Sequence, residues 1–283
     1  MLLELIILII IMRNKLLKGV SEIQSKYQCF FIDLWGVVHN GIELYPEAIE
    51  VLENLNKIKK RFVLMSNAPR PSKSVQKYLL NLKMKETFIK KVFTSGEAAL
   101  EILRNNVYGK KFYHLGPERD KDLLEGFETN KTSIEKCEFI LCTGLFDDKK
   151  NSLGYYKKIL EKFTKTKMVC TNPDLIVYRG SQKEYCAGSI AKVFEEIGGS
   201  VAYVGKPYPD IYNFCKKKGE KVLVIGDNIH TDIKGANNMN FDSLFITQGI
   251  HKQEFDKNSI ENYDQILKSY EVETDYYQKK LTW

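Results

Sequence analysis

The chain has 283 residues, of which 43% are apolar and 28% charged, and its formal net charge is +7. This length supports one large or two medium domains with an ample core, and the composition is that of an ordinary globular protein rather than a disordered or fibrous one. The basic excess is modest, and no zinc-finger, helix-turn-helix or RNA-binding pattern accompanies it. These features argue against a nucleic-acid partner.

The cysteines are scattered along the chain and form no CxxC pair, so they suggest neither a zinc site nor a redox motif. Several lie in apolar runs, and we therefore expect buried free thiols. Free thiols fit a reducing compartment, which predicts a cytoplasmic protein. The positions are Cys29, Cys137, Cys142, Cys170, Cys186 and Cys215.

The first stretch of the chain, residues 1–12, is almost wholly apolar apart from Glu4. Twelve residues are too few to cross a bilayer, so we expect no stable membrane insertion. The positive charges follow the apolar run, whereas in a signal peptide they precede it. We interpret residues 1–12 as an apolar extension, with Met12 as the true start, and a weak membrane-associated helix as the alternative.

The apolar residues 29–32 run into Asp33, and Gly36 follows three positions later. This pattern predicts a buried strand of a parallel sheet. Asp33 then lies at the carboxyl end of the strand, where open α/β sheets bind their ligands. A carboxylate there is costly unless it is paired, hydrogen-bonded or bound to a metal. From this stretch alone, a solvated aspartate that begins a turn is the alternative.

The apolar residues 62–65 predict a second strand, which ends in Ser66 and Asn67. A hydroxyl and exposed backbone N–H groups at such a point suit a phosphate. The alternative is that Ser66 lies only in a turn and that Ser72 caps the following helix.

Residues 92–94 predict a third short strand, followed by a helix for which Ser95 is the expected N-cap. From about residue 109 the alternation of strands and helices starts afresh and continues to residue 199. One strand of this segment ends in the sequence Asn172-Pro173-Asp174. The segment reads as a small α/β unit of its own.

Core-like strands resume at Val201, which makes the segment an insertion. The predicted fold is α/β, with a doubly wound, mostly parallel sheet and an inserted α/β domain. The predicted parts are the extension 1–12, a core domain made of 13–108 and 200–283, and the inserted domain 109–199.

The last two central strands also end in charged groups. Lys206 follows one of them, and Asp227 and Asp232 follow the other. Two carboxylates five residues apart across a strand-to-helix turn are typical of an oxygen-ligand site for Mg²⁺, although the pair alone could be a turn residue plus a helix cap. Four strand ends thus carry a carboxylate, a hydroxyl, an ammonium and a carboxylate pair, which are the groups that phosphoryl transfer needs.

In their order and spacing, these four segments resemble the motifs of the haloacid dehalogenase (HAD) superfamily. The position of the insertion, with residues 171–174 and 205–207, resembles the NagD-like and nitrophenylphosphatase-like branch, subfamily IIA. The resemblance covers nearly all of the chain after residue 26. It implies a HAD Rossmann-like core with an α/β cap, Mg²⁺ as cofactor, a small phosphorylated metabolite as substrate, and a homodimer formed through the cap.

The resemblance also implies a role for each matching residue. Asp33 would attack phosphorus and form an aspartyl-phosphate, Ser66 would hold a phosphate oxygen, and Lys206 would offset negative charge. The implied metal ligands are Asp33, the main-chain carbonyl of Trp35 and Asp227, supported by Asp232, and the implied substrate contacts are Asn67, Asn172 and Asp174.

One position departs from the family pattern. Phosphatases of the superfamily carry a second aspartate two residues after the nucleophile, as general acid and base, and this chain has Trp35 there. An indole donates a hydrogen bond but exchanges no proton at neutral pH. Because general acid–base help is worth about 10²–10⁴-fold, we expect slow turnover, least impaired for leaving groups that need no proton. His39 is a candidate replacement, since its ordinary pKa suits proton transfer.

Three functions therefore stay open. The first is Mg²⁺-dependent hydrolysis of small phosphate monoesters, such as sugar or nucleotide phosphates. The second is a dehalogenase-like reaction, which needs neither the second aspartate nor the metal; the Asp227 and Asp232 pair argues against it. The third is a catalytically weak phosphometabolite-binding protein, against which the presence of Asp33 argues, because binding alone needs no nucleophile.

Overall fold

The computed structural model of the protein describes residues 15–149 and 152–283, so the predicted extension 1–12 lies outside the described residues. The chain forms two compact units. The first contains residues 15–65, 84–91 and 215–283, and the second contains 66–83 and 92–214. The second unit takes in more than the predicted cap, and the predicted domain boundaries stay a prediction.

The strands, in chain order along the described residues, are β1 (Lys15–Leu16), β2 (Cys29–Asp33), β3 (Arg61–Ser66), β4 (Val92–Thr94), β5 (Phe112–Leu115), β6 (Phe139–Cys142), β7 (Lys167–Cys170), β8 (Ile176–Arg179), β9 (Gln182–Tyr185), β10 (Val201–Tyr203), β11 (Val222–Gly226), β12 (Asp242–Ile246) and β13 (Tyr276–Gln278).

The α-helices are α1 (Pro46–Lys57), α2 (Ser72–Asn81), α3 (Glu86–Ile89), α4 (Ser95–Arg104), α5 (Leu153–Leu160), α6 (Ala187–Glu196), α7 (Pro209–Cys215), α8 (Lys234–Asn238), α9 (Lys252–Phe255) and α10 (Tyr263–Ser269). A π-helix spans Ile229–Ile233. Short 3₁₀ helices span Val20–Glu22, Gln24–Lys26, Glu118–Leu124, Glu128–Asn130, Ile134–Lys136 and Ile260–Asn262.

The first unit is built on a parallel sheet in which six strands lie in the order β1, β13, β12, β11, β2, β3. All residues of β2 and β11 are buried, as expected for central strands covered on both faces. Ile32 pairs with Ile225 across these two strands. The chain segments that follow them therefore start side by side at the carboxyl edge of the sheet.

The second unit contains a four-stranded parallel sheet in the order β10, β7, β6, β5, and an antiparallel hairpin of β8 and β9. Apolar side chains of α5 and α6, including Tyr156 and Phe194, pack with Ile140 and Met168 of the sheet. Residues of α4 pack with alternate sheet residues such as Leu141. Helices thus cover both faces, and the predicted α/β class with mostly parallel sheets is confirmed.

Two local expectations differ from the structure. The strand expected to resume the core at Val201, β10, instead pairs with β7 at the edge of the four-stranded sheet, and its residues are only half-buried. The N-cap of α4 is Thr94, whose hydroxyl accepts the Glu97 N–H, while the Ser95 hydroxyl donates to the carbonyl of Thr171. A periodic pattern predicts where a strand or helix lies, but it does not predict which strand pairs with it or which side chain forms its cap.

The expectation of free thiols agrees with the structure. All six cysteines are free, and five of them are buried, with Cys137 half-buried. Across residues 15–149 and 152–283, no helix combines the length and apolarity needed to span a membrane.

Candidate active site

Three aspartates of the first unit converge at the carboxyl edge of its sheet. Asp33 ends β2, Asp227 directly follows β11, and Asp232 lies in the π-helix after it. One carboxylate oxygen from each lies within 4.8 Å of those of the other two. Like charges this close repel one another strongly at a site of low solvent access. A divalent cation with oxygen ligands would remove that repulsion, so the three residues fit the Mg²⁺ that the sequence predicts.

The Asp227 carboxylate is held by a turn that follows β12. The Ile250 N–H donates to its Oδ2 at 2.7 Å. A Cβ on Gly249 would lie 2.0 Å from that oxygen, and one on Gly36 would lie 2.2 Å from it. Only glycines allow the backbone to approach this closely. Burial and, next, the Asp227 charge raise the pKa of Tyr45.

Asp232 folds back onto the loop that carries Asp227. Its Oδ2 accepts the Asn228 N–H at 3.2 Å, and its own N–H donates to the Asn228 carbonyl at 2.9 Å. Only 1% of Asp232 is exposed, compared with 5% of Asp227 and 8% of Asp33. A backbone hydrogen bond thus fixes each of the two carboxylates after β11, which suits a rigid metal site.

Trp35 and His39 lie in a tight loop after β2. The Gly36 N–H donates to the His39 carbonyl at 2.8 Å, and the two aromatic rings meet edge to face at 5.0 Å. The His39 Nδ1 accepts the Gly41 N–H at 3.0 Å. This nitrogen therefore carries no proton in the structure, and a proton-transfer role for His39 would have to use Nε2. That role stays a prediction.

Asn67 is the centre of the polar network in the second unit. Its Oδ1 accepts the Lys206 N–H at 2.7 Å, and its Nδ2 donates to the Lys206 carbonyl at 3.0 Å and to Asp174 Oδ1 at 3.3 Å. One amide thus joins three segments of the chain. The structure brings Asn67, Lys206 and Asp174 together, and their roles toward a substrate stay predictions.

The other predicted residues of the second unit lie in the same network or next to it. Asn172 Oδ1 accepts the Asp174 N–H at 3.1 Å, which fixes the loop after β7. Ser66 is 9% exposed, and its Oγ accepts the Ala68 N–H at 3.1 Å. A hydroxyl that accepts this bond still has its own hydrogen to donate. Lys206 is only 3% exposed, and an ammonium is seldom buried so deeply without a functional or structural role.

The sequence reading missed the turn of residues 249–251 that holds Asp227. A signal was available, because Gly249 follows the apolar strand β12 in the same way that Gly36 follows β2. A glycine at that point indicates a close approach of the backbone. Nothing in the pattern states that the approach is to Asp227, which is 22 residues earlier in the chain.

Comparison with known families and proteins agrees with this geometry. Residues 30–130 match the family model of the haloacid dehalogenase-like hydrolases, and residues 203–272 match a HAD-hydrolase-like model. The 5'-nucleotidase YutF of Bacillus subtilis is 24% identical over 239 residues, 81% of this chain and 90% of that protein. The acid sugar phosphatase of Staphylococcus saprophyticus is 24% identical over 246 residues, 83% of this chain and 93% of that protein.

Solved structures show the same architecture. A haloacid dehalogenase-like hydrolase from Brucella suis has a TM-score of 0.82 and 26% identity, covering 94% of this chain and all of that one. The 4-nitrophenylphosphatase of Thermotoga maritima has a TM-score of 0.68 and 22% identity, covering 90% and 95% of the two chains. The chain therefore belongs to the haloacid dehalogenase-like hydrolases.

Proposed function

We propose that this HAD-family phosphatase hydrolyses small phosphate monoesters through an aspartyl-phosphate at Asp33, with Mg²⁺ as its cofactor. The observation that carries the proposal is the convergence of Asp33, Asp227 and Asp232 within 4.8 Å. Similarity to proteins named as a 5'-nucleotidase and an acid sugar phosphatase supports sugar or nucleotide phosphates as the substrate class.

In the proposed reaction, an Asp33 carboxylate oxygen attacks phosphorus, and the bond from phosphorus to the ester oxygen breaks. Water then attacks the aspartyl-phosphate, which releases inorganic phosphate and restores Asp33. Asp33, the Trp35 carbonyl and Asp227 would hold Mg²⁺, with Asp232 in support, and the cation would neutralise charge on the phosphoryl oxygens. The role of the protein is to position these oxygens.

The residues of the second unit have proposed roles toward the substrate. The Ser66 hydroxyl would donate to a phosphoryl oxygen, and the Lys206 ammonium would offset negative charge there. Asn67, Asn172 and Asp174 would contact the leaving group. The buried position of Lys206 and its link to Asn67 support these roles.

Turnover is proposed to be slow, because the position two residues after Asp33 holds an indole in place of a carboxylate. A departing alkoxide needs a proton, and Trp35 supplies none at neutral pH. The expected deficit is about 10²–10⁴-fold relative to a complete acid–base pair.

Location and assembly belong to the proposal as well. Six free cysteines, five of them buried, support a reducing cytosolic environment. A homodimer through the predicted cap follows from the family resemblance.

The test is phosphate release from a panel of sugar, nucleotide and aryl phosphates, with and without Mg²⁺. Wild type, Asp33→Asn and Trp35→Asp are compared. We expect Mg²⁺-dependent release that Asp33→Asn abolishes and Trp35→Asp raises. Release of halide from haloacids without metal would favour the dehalogenase reaction. Stabilisation by phosphate esters without any turnover would favour the binding protein.

A further inference from the structure

The π-helix after Asp227 begins with three consecutive N–H groups that three different side chains satisfy. Asp232 Oδ2 accepts the Asn228 N–H, and Asn228 Oδ1 accepts the His230 N–H at 3.0 Å. The group between them, the Ile229 N–H, donates to His251 Nε2 at 3.3 Å. The first N–H groups of a helix have no partner within the helix. His251 is the one of these three acceptors that comes from another segment.

His251 belongs to the turn that holds Asp227. The Ile250 N–H, one residue before it, donates to Asp227 Oδ2 at 2.7 Å. Gly249, two residues before it, packs against the same carboxylate. The His251 side chain therefore connects the backbone clamp on Asp227 to the start of the segment that carries Asp232.

The imidazole is held in the orientation that this bond requires. Its ring packs with Phe245, His230 and Tyr270, with centroid separations of 6.3, 5.8 and 6.0 Å. Its Nδ1 lies 3.7 Å from Glu254 Oε2, and the Tyr270 hydroxyl donates to the same carboxylate oxygen at 3.0 Å. The side chain of His251 is 14% exposed.

Because Nε2 accepts a hydrogen bond, the ring proton lies on Nδ1, toward Glu254. Burial, and to a smaller extent His230, lower the pKa of His251 to about 4. The ring is therefore neutral at physiological pH, which keeps Nε2 available as an acceptor.

We infer that His251 is a positioning residue for the metal site: by accepting the Ile229 N–H, it locks the turn of residues 249–251 against the loop of residues 227–232. Without this acceptor, the Ile250 N–H and the Asp227 carboxylate would lose their fixed alignment. Outer partners that orient metal ligands are typically worth about 10- to 100-fold in metal affinity. The inference rests on the proposed binding of Mg²⁺ by these carboxylates.

The experiment compares His251→Gln with His251→Met. The two replacements have similar length, but only glutamine has an amide oxygen that can accept the Ile229 N–H. Tyr270→Phe is the matched control, because it keeps the ring in the same cluster and removes only the hydroxyl bond to Glu254. Mg²⁺ is titrated calorimetrically into the metal-free protein without substrate, and exchange of the Ile229 amide is followed by NMR.

For His251→Met, we expect about a 10- to 100-fold rise in the Kd for Mg²⁺ and faster exchange of the Ile229 amide. For His251→Gln and Tyr270→Phe, the Kd for Mg²⁺ should stay within a few-fold of the wild-type value, roughly the effect of one weak hydrogen bond. A folded His251→Met protein with the wild-type Kd would overturn the inference. If His251→Met does not fold, a loss of affinity in folded His251→Gln would overturn it, and retained affinity would support it.

These outcomes separate the two proposals. A wild-type protein that binds Mg²⁺ but hydrolyses no ester would overturn the phosphatase function and leave the role of His251 in place. A wild-type protein that binds no Mg²⁺ would overturn both.

Discussion

The two units hold their candidate site residues in different ways. In the first unit, backbone N–H groups fix like-charged carboxylates, as Ile250 does for Asp227 and Asn228 does for Asp232. In the second unit, a neutral amide, Asn67, joins Lys206 and Asp174 by three hydrogen bonds. The carboxylates of the first unit repel one another, and a bound cation would remove that repulsion. The polar groups around Asn67 in the second unit hydrogen-bond to one another within the protein. Removal of a site residue should therefore weaken cation binding and relieve repulsion in the first unit, but lower the folding stability in the second.

The largest effect is expected for Asp227→Asn. The Asn oxygen can still accept the Ile250 N–H, but the charge is lost, so we expect the Kd for Mg²⁺ to rise about 10³-fold, equivalent to about 4 kcal/mol. The metal-free protein should become more stable by about 1–3 kcal/mol, because repulsion among the three carboxylates falls. Calorimetric titration and urea denaturation measure the two quantities. A metal-free variant less stable than wild type would contradict the assigned repulsion.

Asn67→Ala should have the opposite consequence in the second unit. It leaves the buried N–H and carbonyl of Lys206 without their Asn67 partners, and we expect a loss of about 3–4 kcal/mol of unfolding free energy. Asn67→Asp is the control, since its oxygen still accepts the Lys206 N–H but it loses both donated bonds and places a charge near Asp174. Urea denaturation of the metal-free proteins measures the loss. Unchanged stability in Asn67→Ala would show that the network is not structural.

Asp120 offers a pH-dependent test of charge burial in the second unit. Burial is the main reason that the pKa of this carboxyl rises to about 6, and Arg119 and Thr143 oppose that rise. The folded pKa is above that of the unfolded chain, so the folded state binds more protons between about pH 4 and 6, and stability falls as the pH rises through that window. Asp120→Asn should therefore stabilise the protein at pH 7, by up to about 3 kcal/mol.

The gain from Asp120→Asn should vanish near pH 4, where the wild-type carboxyl is protonated. The matched control is Asp122→Asn. Hydrogen bonds from Ser74 and then Arg70 lower the pKa of Asp122, so its replacement should destabilise at pH 7. That loss should be at most about 1 kcal/mol, since the Asp122 side chain is 41% exposed. Thermal unfolding at pH 4 and pH 7 distinguishes the two signs; a gain at both pH values would refute the assignment for Asp120.

The smallest expected effect concerns the start of α4. Thr94→Ala removes the acceptor of the Glu97 N–H and the donor to the Arg70 carbonyl and should cost about 1–2 kcal/mol, whereas Thr94→Ser keeps the hydroxyl and should cost less. Denaturant unfolding of the pair measures the difference. Equal stability of the two variants would mean that the two hydroxyl bonds contribute nothing.

Much of the site could be predicted from the chain alone. Apolar runs that end in Asp33, Ser66 and Asp227 predict both the strands and the polar side chains at their ends. A buried strand appears in the sequence as a run of consecutive apolar residues. The family prediction made on these segments is confirmed. The roles of the individual residues stay predictions, as do the cap boundaries at residues 109 and 199.

Other features depended on contacts between distant segments. The pattern of residues 201–204 predicts a strand, but it does not predict that this strand pairs with β7. Ser95 and Thr94 are both competent caps, and in the structure Thr94 accepts the Glu97 N–H, whereas the Ser95 hydroxyl donates to the carbonyls of Ala68 and Thr171. The link from His251 to Ile229 likewise depends on the fold that follows β12.

Secondary structure and the side chains that lie at strand ends can thus be predicted from the sequence, since both depend on neighbours within a few positions. The strand ends, the carboxylate pair and the position of Trp35 two residues after Asp33 are of this kind. The convergence of Asp33 with Asp227 and Asp232 follows from the adjacency of β2 and β11, which are almost 200 residues apart in sequence. Only the tertiary structure decides such adjacency, because it results from the packing of the whole sheet rather than from any local preference.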